Sequence, residues 1–132
     1  HLLIGANRET RLNDNLVKVR PNDKLENATL LSTDMADIGK YQNGIAFQQL
    51  MARTQLNRTW GDCHGYFLVA TGYADIMVDP IMSLWDIVAL VPVIEGAGGT
   101  ITDWNGGAPL DGNGVIATNG QLHEQVLRAL NP

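Results

Sequence analysis

Residues 83–99 read Ser83-Leu84-Trp85-Asp86-Ile87-Val88-Ala89-Leu90-Val91-Pro92-Val93-Ile94-Glu95-Gly96-Ala97-Gly98-Gly99. One carboxylate, Asp86, stands near the start of an otherwise apolar run that closes on glycines. Leu84 to Glu95 predicts a helix, with Ser83 placed to cap its start. Gly98 and Gly99 then release the chain into a strand, Thr100-Ile101-Thr102-Asp103-Trp104. This order decides the fold class. A dinucleotide-binding loop needs a strand, then glycines, then a helix whose first amides face the pyrophosphate. Here a helix precedes the glycines and a strand follows them, so they read as a helix C-cap and a sharp turn. No Gly-Lys-Ser/Thr step occurs anywhere.

Working outward, strand and helix signals alternate. Ala28 to Thr33 is short, apolar and β-leaning. Tyr41 to Thr54 carries Ile45, Ala46, Leu50 and Met51 at helical spacing, with Phe47 beside them. Gln55 to Trp60 returns to alternation, Cys63 to Thr71 predicts a helix capped by Gly72, and Ala74 to Val78 a strand. After a Gly/Pro/Asn-rich loop from Asn105 to Gly114 come a strand at Val115–Thr118 and a last helix from about Gly120. That helix presents Leu122, Val126, Leu127 and Leu130 on one face. The pattern implies an α/β fold: a layered mixed sheet of about five strands flanked by helices. Residues 1–27 break the rhythm. Arg11 to Val19 looks like a hairpin arm turning at Asn13-Asp14-Asn15, and an isolated hairpin is marginal in water. It is expected to be the trailing segment of a preceding N-terminal domain, with 28–132 forming a C-terminal α/β domain.

Composition bounds the functions available. The 132 residues suffice for one domain with a real core, and 45% hydrophobic against 17% charged residues excludes a disordered chain. No apolar run approaches the roughly 20 residues that span a bilayer. A net charge of −5 without any Lys/Arg cluster argues against nucleic-acid or anionic-membrane binding. The single cysteine, Cys63, can form neither an internal disulfide nor a CxxC metal site, which favours a reducing, cytoplasmic setting. The sequons at Asn27 and Asn57 are read as accidental. The start has neither an initiator Met nor a signal-peptide pattern, so the chain is expected to have been cut from something longer.

Three acids sit where strands give way to helices. Asp86 falls in the first turn of its helix, where the macrodipole favours a carboxylate by roughly 0.3–1 kcal/mol. Asp79-Pro80 lies seven positions earlier, at a strand end, and Asp62 follows Trp60 across Gly61. A strand-end acid and a helix-start acid joined by a short loop converge on one cleft at the carboxyl edge of a sheet. Each alone is also explained by helix capping, Asp62 above all. His64 is a weaker candidate for a general base, and Cys63, with no basic neighbour, is expected to pack.

Trp85-Asp86-Ile87-Val88-Ala89 through Glu95-Gly96-Ala97-Gly98-Gly99 resembles the C-terminal signature of the inositol monophosphatase superfamily. Further stretches resemble that family at its spacing: Gly61 to Tyr66, Val69 to Asp75, Ile101 to Trp104 and Ala117 to His123. Gly61-Asp62, Asp79 and the Ala-Thr-Asn-Gly tail most resemble the histidinol-phosphate phosphatase branch. The resemblance covers nearly the whole chain, more weakly before residue 28.

The resemblance implies the C-terminal half of an αβαβα sandwich and Mg²⁺-dependent hydrolysis of a small phosphomonoester by a metal-activated water, in a homodimer. It implies Asp86 as a metal ligand, Asp79 as a contact to the substrate's hydroxyl or amino group, and Gly61 and Asp62 as lining of the substrate pocket. The family's other metal ligands, an Asp-Pro-x-Asp-Gly-Thr motif and an upstream glutamate, do not occur here, because the only Asp-Pro is Asp79-Pro80. Mg²⁺ takes about six oxygens, so one carboxylate does not build its site. The expectation is a fragment whose partner is the N-terminal half of the same enzyme. An inositol-1-phosphate phosphatase and a non-catalytic α/β binding module are the alternatives.

Overall fold

The computed structural model describes residues 1–6 and 8–132. It opens with β1 (Leu3–Ala6), β2 (Glu9–Leu12) and β3 (Asn15–Leu16), paired antiparallel in that order. Asn13 and Asp14 turn β2 into β3 with φ of 47° and 68°, the left-handed pair a two-residue hairpin loop requires. The expected hairpin is therefore present, but it gains β1, whose four residues include a glycine and give little alternation to read. After a strap over residues 17–24 and a 3-10 turn at Leu25–Asn27 come β4 (Thr29–Leu31), α1 (Ile38–Tyr41), α2 (Gly44–Arg53) and β5 (Leu56–Arg58). The remainder is α3 (Asp62–Ala70), β6 (Ile76–Asp79), α4 (Leu84–Gly96), β7 (Thr100–Asp103), β8 (Val115–Thr118) and α5 (His123–Leu130).

The helix expected over 41–54 is divided. Gln42, in extended backbone, ends the short α1 turn, and Asn43 restarts the chain as α2, its Oδ1 accepting the Ala46 amide at 3.0 Å. Ala46, Phe47 and Leu50 then face the core, and Ile45, expected with them, faces solvent. Gly72 and Gly98 end α3 and α4 with φ of +80° and +83°, as the C-cap reading requires.

Five strands form the second sheet in the order β5-β4-β6-β8-β7. β4 runs parallel to β5 and β6, and β8 antiparallel to β6 and β7. It is the mixed sheet that the sequence predicts. Alternation along its strands divides the interior in two. Leu30, Ile76, Val78 and Ile116 point to α2 and α5, meeting Phe47, Leu50, Val126 and Leu130. Leu31, Met77, Val115 and Ala117 point to α3 and α4, meeting Tyr66, Val69, Ile87 and Ile94. Burying such a side chain is worth about 1.5–3 kcal/mol.

The first sheet lies against the other side of α4, so the layers run sheet, helix, sheet, helix. Two glycines allow that approach. A Cβ on Gly5 would sit 2.4 Å from the Pro92 carbonyl carbon, and one on Gly96 2.6 Å from Thr10 Oγ1. The buried Thr10 hydroxyl donates to the Val93 carbonyl at 2.7 Å, and the Val19 amide to the Ala97 carbonyl at 3.0 Å. Among the described residues no helix is long and apolar enough to cross a membrane.

The strap is fastened by charge. Asp75 is fully buried at the start of β6, where it accepts Arg20 Nε at 2.8 Å, Arg20 Nη2, and the Thr29 amide at 2.7 Å. The bond to Asp75 raises the Arg20 pKa against the opposing effect of burial. Asn119 adds two bonds, its Nδ2 donating to the carbonyls of Arg20 (3.2 Å) and Asn22 (2.9 Å). Removing one partner of a buried ion pair leaves the other uncompensated. Arg20→Leu is therefore expected to cost about 3 kcal/mol, the low end for such losses because Arg20 is partly exposed, read as a lower urea midpoint.

His123 opens α5 between two hydroxyls, with Thr118 Oγ1 3.1 Å from Nδ1 and Thr102 Oγ1 3.0 Å from Nε2. Burial lowers its pKa, the nearby Glu124 opposing weakly. The native imidazole thus resists a proton that the unfolded chain accepts at about pH 6.5. Its contribution to stability is complete above that pH and is lost on acidification through the native pKa. Urea midpoints between about pH 7 and pH 5 should fall more steeply for the wild type than for His123→Gln.

Candidate active site

The carboxyl ends of the parallel strands β4 and β6 open into a cleft of about 660 Å³. β4 delivers Thr33 and Asp34 to it, α3 begins there with Asp62 and Cys63, and β6 ends there in Asp79 and Pro80. The connection Ile81-Met82-Ser83 forms its floor before α4 presents Asp86 and Leu90. The three junction acids therefore line one cavity, with Asp34 and Asp37 beside them. Among the described residues no lysine or arginine lines it.

Asp79 is the deepest of the five, only 3% exposed. Its Oδ1 accepts the Thr33 amide at 3.0 Å and its Oδ2 accepts the Tyr66 hydroxyl at 2.8 Å. Tyr66 reaches it from α3, which carries Gly65, Tyr66, Val69 and Ala70 into the interior. The Tyr66 phenol is pushed well above its usual pKa by burial first, then by the Asp79 charge and the hydrogen bond to it. It is a neutral donor under all ordinary conditions.

Asp62 does not cap its helix. Gly61 holds the N-cap position without a side-chain bond, and Asp62 follows as the first helical residue at φ +52°. Left-handed backbone at a non-glycine residue costs of order 1–3 kcal/mol and persists where the surroundings impose it. Here the Asp62 amide donates to Thr33 Oγ1 at 3.0 Å. Gly61 is pressed on the same threonine, since a Cβ there would fall 2.7 Å from Thr33 Cα. Gly61 thus supports the wall from behind and is not part of its lining.

Asp86 is exposed in the first turn of α4. Ser83 occupies the N-cap position but contributes only its carbonyl, which accepts the Asp86 amide at 3.0 Å, and no side-chain cap. Cys63, expected to pack, is instead an exposed thiol on the cleft. His64 stands outside the lining, stacked on Phe67 at 5.9 Å and tilted against Trp60 at 5.8 Å. The sequence reading passed over Asp34, Asp37, Tyr41 and Asn113 as lining residues. For Asp34 a signal existed, because Thr33-Asp34 follows β4 as Asp79-Pro80 closes β6. Asp37 is paired with Lys40 at 2.7 Å.

The donor set can be tested against a divalent ion. Among the described residues no three His, Cys, Asp or Glu side chains come together as a metal site. Asp79 has a donor on each oxygen, and Asp86 is a single carboxylate. A hard cation such as Mg²⁺ needs about six oxygens in near-octahedral array. The residues present do not fit a self-contained Mg²⁺ site.

A sheet–helix–sheet–helix stack with acids at the carboxyl edge of its mixed sheet has a known parallel. The chain belongs to the inositol monophosphatase family, whose sequence model matches residues 4–132. A histidinol-phosphatase of Chlorobaculum parvum is 41% identical over 83 residues, 62% of this chain and 32% of that protein. The bifunctional phosphatase IMPL2, chloroplastic, of Arabidopsis thaliana is 33% identical over 138 aligned positions, 96% of this chain and 40% of that protein. The solved inositol monophosphatase from Anabaena (Nostoc) superposes with a TM-score of 0.85 at 28% identity, over 98% of this chain and 53% of that one. The chain therefore spans less than half the length of these two curated relatives and about half of the solved structure.

Proposed function

We propose that this chain is the C-terminal part of a divalent-metal-dependent phosphomonoesterase, and that its substrate is histidinol phosphate. The cleft wall carries the reading: among the described residues five aspartates line it and no lysine or arginine does. A phosphate anion is repelled by such a wall unless cations stand between them. Asp86 would supply one oxygen to Mg²⁺, the remaining ligands coming from carboxylates outside residues 1–132. A metal held there would provide an activated water and charge neutralisation on the departing oxygen.

The remaining work falls to residues of this chain. Asp79 and Asp62 bind the alcohol being released, with Asp79 aligned by Thr33 and Tyr66, and Asp62 by its amide bond to Thr33. A histidinol leaving group carries an ammonium, and a buried carboxylate held only by uncharged donors attracts it. The share of relatives named histidinol-phosphatase supports the same choice. An inositol phosphate is the second reading, since a carboxylate also accepts hydrogen bonds from hydroxyls. Residues 1–27 are taken as the trailing segment of the preceding domain, and the complete enzyme as a cytoplasmic homodimer.

The test compares this chain with the complete protein, each assayed with Mg²⁺ on histidinol phosphate and on inositol 1-phosphate. The 132-residue chain should release no measurable phosphate, and the complete protein should prefer histidinol phosphate. Asp86→Asn in the complete protein should lose more activity than the roughly 10–100-fold that loss of an outer partner of a metal site costs. Its circular dichroism should stay unchanged. Preference for inositol 1-phosphate reassigns the substrate. Inactivity of the complete protein on both would leave a binding module.

A further inference from the structure

The terminal torsion of an aspartate is broad and roughly two-fold, so one hydrogen bond leaves the carboxylate free to swing. Asp79 has two, one on each oxygen, and they arrive from different elements. The donor on Oδ1 is the backbone amide of Thr33, just beyond β4. The donor on Oδ2 is Tyr66, whose side chain is fully buried behind the cleft and is absent from its lining. The other neighbour of that hydroxyl, Met82 Sδ at 3.2 Å, is a weak acceptor, so the phenolic proton belongs to the carboxylate. An ionised carboxylate has about four acceptor sites, and two are used here. The plane in which the others point is fixed by these two donors together.

We infer that Tyr66 is a positioning residue for substrate choice: by holding Asp79 Oδ2 it turns the free side of that carboxylate toward the polar end of the leaving alcohol. Tyr66 does not touch substrate and acts through Asp79 alone. This rests on the proposed function, which makes Asp79 the substrate contact. The competing account is that Tyr66 only fills the interior between α3 and β6, where its ring packs in any case.

A double-mutant cycle in the complete enzyme separates the two. kcat and KM for histidinol phosphate are measured for wild type, Tyr66→Phe, Asp79→Asn and the double variant, with a melting temperature for each. Phenylalanine keeps the ring and removes only the donor. Tyr66→Phe should raise KM about tenfold, the scale of one hydrogen bond to a charged group, with kcat within about twofold. In the Asp79→Asn background the same change should alter KM by less than about twofold, because the charge whose free side Tyr66 orients is gone. An equal KM penalty in both backgrounds, or none in the wild type, overturns the inference and makes Tyr66 a packing residue. An Asp79→Asn enzyme that turns over with unaltered KM is a different failure, since it removes Asp79 from the substrate and overturns the proposed function. If Tyr66→Phe does not fold, a ring-fluorinated tyrosine at position 66 keeps shape and hydroxyl and changes donor strength. A KM that does not follow that change overturns the inference as well.

Discussion

The buried charge of Asp75 is the constraint on which the arrangement turns. With no solvent contact it has to be neutralised from within, and among the described residues the cation that reaches it is Arg20, 55 positions earlier in the chain. Satisfying Asp75 therefore draws the strap across the amino edge of the second sheet. The strap in turn carries the three-stranded sheet onto α4, where Gly5 and Gly96 leave room for it. The Thr29 amide closes the set and fixes the start of β4 beside the start of β6. From there the register of the two parallel strands determines where their other ends emerge.

Those other ends are treated in the opposite way. Asp75 and Asp79 flank and close the same short strand, and both are buried, yet their partners differ in kind. Asp75 is bound by a guanidinium. Asp79 receives only an amide and a phenol, so its negative charge is oriented without being cancelled. One strand thus carries a structural charge at its amino end and an available one at its carboxyl end. Desolvating an uncancelled charge is costly, and the fold places that charge on the lining of the cleft.

Much of this was legible in the sequence, for local reasons. The helix at 84–96, its glycine cap and the strand at 115–118 each announce themselves within a few residues. The convergence of Asp62, Asp79 and Asp86 followed from placing them at strand–helix junctions, because the carboxyl ends of neighbouring parallel strands share an edge. What escaped was non-local or nearly featureless. β1 has four residues and no pattern of its own. The break at Asn43 is a cap inside a stretch that keeps helical spacing on both sides. Asp34 had a local signal at the end of β4, but Asp37, three residues further on, required knowing how the loop after β4 folds over the cleft. The role of Tyr66 was not legible either, since helical periodicity registers a ring and not the proton that it donates.

The exposed thiol of Cys63 has a practical consequence. It is the chain's single cysteine and it sits on the wall of the cleft, one residue after the strained Asp62. A thiol-directed fluorophore or spin label would attach there without a competing position. It would then report, through its emission or its mobility, whenever an ion or a small molecule enters the space that the five aspartates enclose.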